Sequence, residues 1–235
     1  MTVFMVPPIA GRRYVRPMRK KTGERHERSN GRRNDPEGTR RNIVEAATHE
    51  FARKGYGGAR VDAIAARTRT SKRMLYYYFG DKEGLYLAVL EQVYGDIRRT
   101  EATLDLEGQA PRDALARLVG FTFDYYNDHP DFVRLVMNEN ILDAAHIKRS
   151  RSIRRLNVTV IDALRRIVER GQSAGLFRRD VDPIELHMSI SALGIFNVAN
   201  RATFSTIFKR DMSSARARAV RRRQVVDIIL RHVAV

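Results

Sequence analysis

The sequence predicts an all-α protein, with short helices near its N-terminus and longer helices after them. Apolar residues recur at spacings of three and four, which is the periodicity of a helix with one buried face. Residues that cap helices precede these runs, and Gly or Pro follows them. No segment shows the sustained alternation of a strand. The 235 residues are enough to bury a sizeable core.

The composition limits both the partners and the chemistry. Lys and Arg total 44 against 27 acidic residues, a net charge of +17, which favours a polyanionic partner such as nucleic acid or an anionic membrane surface. The absence of Cys excludes disulfides, thiolate zinc sites and a cysteine nucleophile. No apolar run approaches the ~18 residues of a membrane span, and the basic residues follow the apolar start instead of preceding it. We therefore expect a cytoplasmic location.

Residues 1–36 are predicted to be a disordered basic tail. Ten basic residues face three acidic ones there, a net charge of +7, and apolar periodicity is missing. Two interpretations stay open. The tail holds DNA phosphates without sequence preference, or it is a solvated leader, including the case that translation starts at Met18.

Four helices are predicted between Gly38 and Ile97. The first has an apolar stripe, a possible N-cap at Thr39 and a stop at Gly55. A short helix over 61–67 and a second from Ser71 to Gly80 follow, and a longer helix begins at Lys82 after a cap at Asp81. The apolar positions of these four helices are Ile43, Ala46, Ala47, Phe51, Val61, Ile64, Ala65, Leu75, Phe79, Leu85, Ala88, Val89 and Val93.

The remaining chain is predicted to form a helical bundle. Its helices are expected at about 111–128, 131–142, 150–173, 183–208 and 213–233.

Two short helices after a third form the pattern of a helix-turn-helix. The second helix has to enter a DNA major groove about 12 Å wide, so its outer face needs hydrogen-bond donors and flat rings. Leu75 and Phe79 anchor this helix, and small residues at Ala63, Ala65 and Ala66 allow the first helix to cross it closely. The outward positions are then Lys72, Arg73, Tyr76 and Tyr77.

The stretch from Thr39 to Ile97 resembles the DNA-binding domain of TetR/AcrR-type regulators. The resemblance is carried, in order, by Ala-Ala-x-x-x-Phe-x-x-x-Gly-Tyr, Val-Asp-x-Ile-Ala-Ala, Ser-Lys-x-x-Leu-Tyr-x-Tyr-Phe and Asp-Lys-Glu-x-Leu. It implies a DNA-binding domain at 37–97 and a ligand-binding and dimerisation domain at 98–235. It also implies a repressor that a small-molecule effector releases from its operator.

The resemblance implies a role for each matched residue at the DNA. Ser71 and Lys72 open the recognition helix, and Tyr76 and Tyr77 occupy positions that often touch phosphate or base. Lys82 is implied to grip a phosphate at a helix N-terminus, where the helix dipole adds to its charge. The expected DNA-binding set is Thr39, Arg60, Ser71, Lys72, Arg73, Met74, Tyr76, Tyr77 and Lys82.

Three residues depart from the family pattern. Arg69 occupies a turn position where the family usually has Gly, which costs about 1 kcal/mol if the backbone is left-handed. Arg73 replaces a frequent Gly, and Met74 replaces a frequent small residue. Arg73 either reads guanine or binds phosphate. The span 60–73 concentrates five basic residues against only Asp62, which marks the electrostatic footprint.

Residues 98–235 are expected to supply both the dimer interface and the effector site. Two recognition helices must reach successive major grooves about 34–36 Å apart, so we expect a homodimer on a palindromic operator. Two late apolar helices could pair with their symmetry mates, or simply bury against their own domain. Their apolar residues are Ile184, Met188, Leu193, Ile195, Phe196, Ala199, Val225, Val226, Ile228, Ile229 and Val233.

The effector pocket is expected among the helices near 111–200. Apolar walls with a few polar groups are typical of a ligand site, although each candidate could equally be a capping or core residue. Amides mixed with aromatic rings suggest a neutral or weakly acidic ligand. The candidates are Phe121, Tyr125, Asn138, His187 and Asn197.

Other classes of function are less well supported. The six His residues lack metal-ligand spacing, and neither a nucleophile elbow nor a phosphate loop is present, so we expect no enzyme, no metal and no cofactor. A ligand-independent or architectural DNA-binding protein remains the alternative. The Arg-rich last helix is either a solvated face or a contact for flanking DNA or a membrane.

Overall fold

Helix α1 (Pro36–Gly58) begins the part of the chain that the computed structural model describes, residues 35–235. Proline suits the first helical position because its fixed φ is preorganised for a helix, and Glu37 places a negative charge at the positive end of the helix dipole. Thr39 therefore lies in the first turn and is not the N-cap, which corrects the prediction. Gly55 breaks the helical geometry with a φ of +68°, as expected for a glycine at a helix end.

Three helices complete the N-terminal region: α2 (Val61–Thr68), α3 (Lys72–Phe79) and α4 (Lys82–Glu101). The side chains of Ser71 and Asp81 cap α3 and α4 by accepting hydrogen bonds from backbone N–H groups three residues later. Helix α4 runs without a break through residues 97 and 98, where the sequence predicts a domain boundary.

The C-terminal region begins with α5 (Pro111–Asp128) and α6 (Pro130–Ile141), which are separated by His129. A short 3-10 helix (Ile147–Arg149) then leads into α7 (Arg151–Ser173). The last helices are α8 (Pro183–Ala199), α9 (Arg201–Ile207) and α10 (Ala215–Val233).

The structure corrects the single helix predicted over 183–208. Asn200 leaves the helical region with φ −99° and ψ 4° and separates α8 from α9. Its side-chain amide donates to the carbonyl of Phe196, which satisfies an acceptor at the end of α8. An Asn prefers such local bonds to the backbone over a helix interior.

Residues 36–235 form one compact unit with two apolar cores. The first core joins α1–α4 to α5 and α6, with Phe51, Tyr86 and Leu135 fully buried. The second joins α5, α7, α8 and α10 around Leu115, Leu164 and Ile229. Because the first core includes α5 and α6, helices α1–α4 are packed directly onto the C-terminal region.

The described residues contain no β-strand, only an isolated bridge between Phe177 and Ala234. Within the same range, none of the helices combines the length and apolarity needed to cross a membrane. The predicted basic tail, apart from Asp35 and Pro36, lies outside the described residues.

Candidate DNA-binding surface and effector site

Helix α3 is held rigidly against α2 and α4 and presents four side chains outward. Leu75 is only 1% exposed and anchors the helix. Lys72, Arg73, Tyr76 and Tyr77 are all exposed, and Tyr77 reaches 77%. Cations and phenol groups on a short, anchored helix are suited to phosphates and base edges in a major groove. This outer face of α3, with Lys72, Arg73, Tyr76 and Tyr77, is called the α3 face below.

Some contacts of this region differ from those that the sequence predicts. Met74 is half-buried, so it supports the helix more than it reaches outward. Ala65 is buried and Ala63 half-buried, as a close helix contact requires, but Ala66 is exposed. The sequence therefore places one alanine too many in the contact between the two helices.

The cations of the α2–α3 unit differ in their partners. The ammonium of Lys72 lies 3.2 Å from a carboxylate oxygen of Asp62 on α2. Both side chains are exposed, so a phosphate could replace this carboxylate at little cost. Arg73 forms no ion pair within residues 35–235, so its guanidinium is available for DNA.

Lys82 lies at the N-terminus of α4 but is held by the end of α1. Its ammonium is 3.4 Å from the carbonyl oxygen of Gly57 and 4.9 Å from the centroid of the Tyr56 ring. This contact fixes the side chain beside the positive end of the α4 dipole, where anions bind. The lysine that is predicted to bind a phosphate is thus positioned by two helices. The sequence places Lys82 on α4 but does not show that α1 holds its side chain.

The outlying members of the predicted set lie at helix starts. Arg60 is the exposed residue before α2, and its backbone N–H donates to Glu50 at 3.2 Å. Thr39 is half-buried in the first turn of α1. Sequence reasoning missed Arg40, whose guanidinium lies 5.3 Å from the Phe79 ring centroid at the end of α3. Its spacing to Phe79 is not local, so only the fold brings them together.

The five predicted effector-site residues do not share one cavity among the described residues. Asn197 lines a cavity of about 280 Å³ between α8, α9 and α10. Tyr125 faces a larger open cleft beside α1, and the ring of Phe121 packs 5.8 Å from that of Tyr125. The amide of Asn138 donates to the carbonyl of Phe51 at 3.3 Å, so it holds the end of α1 instead.

His187 is half-buried on α8, near a buried ion pair at the C-terminal end of α4. Burial lowers the pKa of His187 to about 4, and the nearby positive charge of Arg98 lowers it further. Arg98 Nη1 lies 2.8 Å from Glu101 Oε2, and both side chains are almost fully buried. Burial raises the pKa of Glu101, although Arg98 opposes part of this shift.

Two polar contacts and one ring contact join the C-terminal region to α1. His49 Nδ1 is 3.2 Å from Asp131 Oδ2 at the start of α6, and Asn138 near its end binds the carbonyl of Phe51. The buried carboxylate of Glu139 accepts from the backbone and ring of His146, whose ring packs 4.4 Å from that of Tyr56. A movement of α6 must therefore reach the helices that support α3.

One apolar face of α8 is left uncovered within residues 35–235. Ile184, Met188 and Phe196 recur along this face, and each is at least half exposed. A run of this kind is typical of a protein interface.

The apolar stripe predicted on α10 is mostly buried. Val225, Ile229 and Val233 lie in the second core, and only Ile228 remains exposed among the apolar residues predicted there. The alternative of burial within the same domain therefore holds for most of that stripe.

Between residues 35 and 235, no group of three or more His, Asp or Glu side chains is arranged to hold a metal ion.

Comparisons with known proteins agree with this arrangement. A family model described as "Bacterial regulatory proteins, tetR family" matches residues 43–89, and one described as "Tetracyclin repressor-like, C-terminal domain" matches residues 111–229. The chain is 37% identical over 193 residues to the HTH-type transcriptional repressor NicS of Pseudomonas putida, covering 82% of this chain and 91% of that protein.

Solved structures show the same fold. SCO4942 from Streptomyces coelicolor is 29% identical with a TM-score of 0.64, over 83% of this chain and 98% of that one. A bacterial regulatory protein in the tetR family from Rhodococcus RHA1 is 24% identical with a TM-score of 0.65, over 83% and 97% of the two chains.

Proposed function

Because the chain belongs to the TetR family of bacterial transcriptional regulators, we propose that it represses transcription as a dimer on a palindromic operator. Regulators of this family bind operator DNA, form dimers and bind small-molecule effectors, and they are not enzymes. The observation that carries the proposal is the α3 face, a rigid and exposed set of cations and phenols on a helix-turn-helix. A two-fold dimer of such units fits inverted half-sites about 34–36 Å apart.

The residues of this surface divide between two roles. Arg73 reads a base edge, because it is the exposed guanidinium on α3 that no acidic group occupies. Lys82 binds a phosphate, and Lys72 exchanges Asp62 for one. Ser71 keeps the helix start in place by capping it. Base contacts of this kind supply roughly 1–3 kcal/mol of discrimination each.

Release by an effector uses the contact between α6 and α1. Effector binding in the C-terminal region shifts α6, and its links through Asp131 and Asn138 carry that shift to α1 and so to α3. A coupling free energy of about 1–3 kcal/mol corresponds to a 5- to 150-fold loss of operator affinity. We place the protein in the cytoplasm, where a bacterial chromosome lies.

The DNA-binding part of the proposal is tested with two variants and one control. An operator is first selected from a random DNA library with the purified protein, and affinities are then measured by fluorescence anisotropy at several salt concentrations. We expect Arg73→Ala to relax base preference at one position of each half-site. Lys82→Ala should weaken all sequences alike and reduce the salt slope by about one unit. Arg112→Ala, an exposed change at the start of α5, is the control. Unchanged affinity in both test variants contradicts the proposed surface.

A ligand-independent regulator is the competing hypothesis. A panel of metabolites is added to the protein–operator complex, and both the anisotropy and the melting temperature of the free protein are recorded. Release of DNA by at least one compound supports the effector model. A panel that changes neither readout favours the ligand-independent alternative.

A further inference from the structure

We propose that the cavity between α8, α9 and α10 is the effector site, and that its ligand is a small organic anion with an apolar body. The regulatory part of this inference rests on the proposed function, whereas the binding part does not. Arg201, Arg210 and Arg221 line the cavity together with Phe196, Phe204 and Asn197. Three guanidinium groups around two aromatic rings are the complement of an aromatic or short aliphatic acid.

The positive charge of this cavity has no local counterpart. No Asp or Glu is among its lining residues, and neither Arg210 nor Arg221 forms an ion pair within residues 35–235. Two acidic groups of this region already have partners. Asp211 accepts hydrogen bonds from the backbone and hydroxyl of Ser213 at 2.8 and 2.6 Å. Asp128 pairs with Arg218. An anionic ligand would supply the missing charge.

Among the arginines that line this cavity, Arg201 has most to gain from an anion. One of its terminal nitrogens donates to the side-chain oxygen of Asn127, but its Nε is buried and has no hydrogen-bond partner within the described residues. Burial lowers the pKa of Arg201, and repulsion from Arg218 adds to this effect. A buried donor without a partner destabilises the folded protein, more so when it is charged, and a carboxylate would remove that cost.

The walls and the size of the cavity restrict the rest of the ligand. The rings of Phe196 and Phe204 meet edge to face with centroids 5.3 Å apart, and Met212 and Val220 complete the apolar lining. A volume of about 280 Å³ lies just below the usual range of roughly 300–1,000 Å³ for ligand pockets. The site therefore suits a single ring or a short chain better than a long acyl group.

The cavity is connected to α1 through the end of α5. Asn127 accepts from both Asn197, at 3.2 Å, and Arg201. Four residues later, Asp131 contacts His49 of α1. An anion that draws the Arg201 guanidinium away from Asn127 would loosen the contacts at the junction of α5 and α6. This junction positions α6. The buried Arg98–Glu101 pair is not expected to attract an anion in this way, because the carboxylate of Glu101 already balances the charge of Arg98.

The test measures binding before DNA is involved. Isothermal titration of the full-length protein with benzoate and hexanoate is compared with titration of the uncharged benzamide and hexanamide. We expect each acid to bind at least about tenfold more tightly than its amide, which corresponds to about 1.4 kcal/mol. Arg221→Gln should lose this preference, and Arg223→Gln, on the same helix but outside the cavity, should keep it. Size-exclusion chromatography with light scattering verifies that the variants share one oligomeric state.

Three results overturn the inference: acids that bind no better than amides, equal behaviour of Arg221→Gln and Arg223→Gln, or a compound that releases operator equally from wild type and Arg221→Gln. The last result leaves the proposed function intact, because an effector then acts elsewhere. Conversely, acid binding that depends on Arg221 but never changes operator affinity retains the anion site and contradicts its role as the effector site.

Discussion

At the scale of single residues, Arg69 shows how this chain tolerates an unfavourable backbone at its proposed DNA-binding surface. It follows α2 with φ +52° and ψ 34°, the left-handed region that favours glycine. Its N–H nevertheless donates to the carbonyl of Ala66, so the turn is closed by hydrogen bonding despite its side chain. The charge that arginine adds beside DNA is the compensating gain that we infer.

Replacing this residue separates backbone strain from charge. We expect Arg69→Gly to raise the free energy of unfolding by up to about 1 kcal/mol, since glycine adopts the left-handed region without strain. The same variant should bind DNA more weakly because a cation is lost. Urea denaturation measures the free energy of unfolding, and fluorescence anisotropy measures the affinity for DNA. Arg69→Ala, which removes the charge and keeps the strain, is the matched control, and equal stability of the two variants contradicts the strain.

His187 provides a prediction about pH. Its pKa is lowered to about 4 by burial and by Arg98, whereas an unfolded chain titrates near 6.5. Between these values the unfolded state binds more protons, so stability present above pH 6.5 is lost as the pH falls towards 4. The slope is at most about 1.4 kcal/mol per pH unit. The raised pKa of Glu101 acts in the opposite direction, because its burial favours the protonated form.

The contribution of His187 is obtained as the difference in unfolding free energy between wild type and a His187 variant. Urea denaturation of wild type and His187→Gln is measured at pH 7, 6 and 5. We expect the stability of the two proteins to converge as the pH falls, because the Glu101 contribution is common to both. Parallel curves would show that His187 is not held neutral.

At the scale of helices, the packing of α7 depends on a glycine. A Cβ built on Gly171 would lie 2.0 Å from the ring of Phe177, which is almost fully buried just after the helix. The close approach lets Phe177 enter the second core and allows the bridge to Ala234 at the end of α10. The lack of a side chain at Gly171 thus allows α7 and α10, which are distant in sequence, to come into contact through Phe177.

The glycine effect can be tested against a second glycine. We expect Gly171→Ala to destabilise the protein by about 1–3 kcal/mol through overpacking. Gly57→Ala is the control, because an added Cβ there meets nothing within 4 Å and alanine favours helix. Thermal denaturation followed by circular dichroism measures both variants. A Gly171→Ala protein as stable as Gly57→Ala would contradict the contact.

At the scale of the whole molecule, we propose that the exposed face of α8 contacts the second copy that two half-sites require. Ile184, Met188 and Phe196 form an apolar strip that the described chain itself does not cover. Phe196 also lines the cavity between α8, α9 and α10, so the proposed effector site adjoins the proposed dimer face. An occupied cavity can then act on the distance between two recognition helices as well as on α6.

A charge in this strip should separate the dimer. Met188→Glu is expected to shift the protein to a monomer at micromolar concentration, because a carboxylate would be desolvated at the interface. Operator affinity should fall by several orders of magnitude as simultaneous binding to two half-sites is lost. Light scattering and anisotropy measure the two effects. Val158→Glu, on an equally exposed apolar residue of α7, is the control. A dimeric Met188→Glu protein would place the interface elsewhere.

The all-α class and the family were predictable from sequence, and the helical structure and family comparisons confirm both. Helix periodicity, caps at Ser71 and Asp81 and a glycine stop at Gly55 are local features, so adjacent residues encode them. The outward direction of Lys72, Arg73, Tyr76 and Tyr77 follows from the same periodicity, although their contacts with DNA remain predictions.

Only the tertiary structure decided which distant residues meet. Asn138 reads like a pocket residue, yet it binds the end of α1, 87 positions away. Arg201, Arg210 and Arg221 are spread over three segments and gather around one cavity. Sequence periodicity reports which face of a helix is apolar, but not which helix will cover it. That choice depends on packing of the whole chain, and the proposed effector site therefore became visible only in the folded molecule.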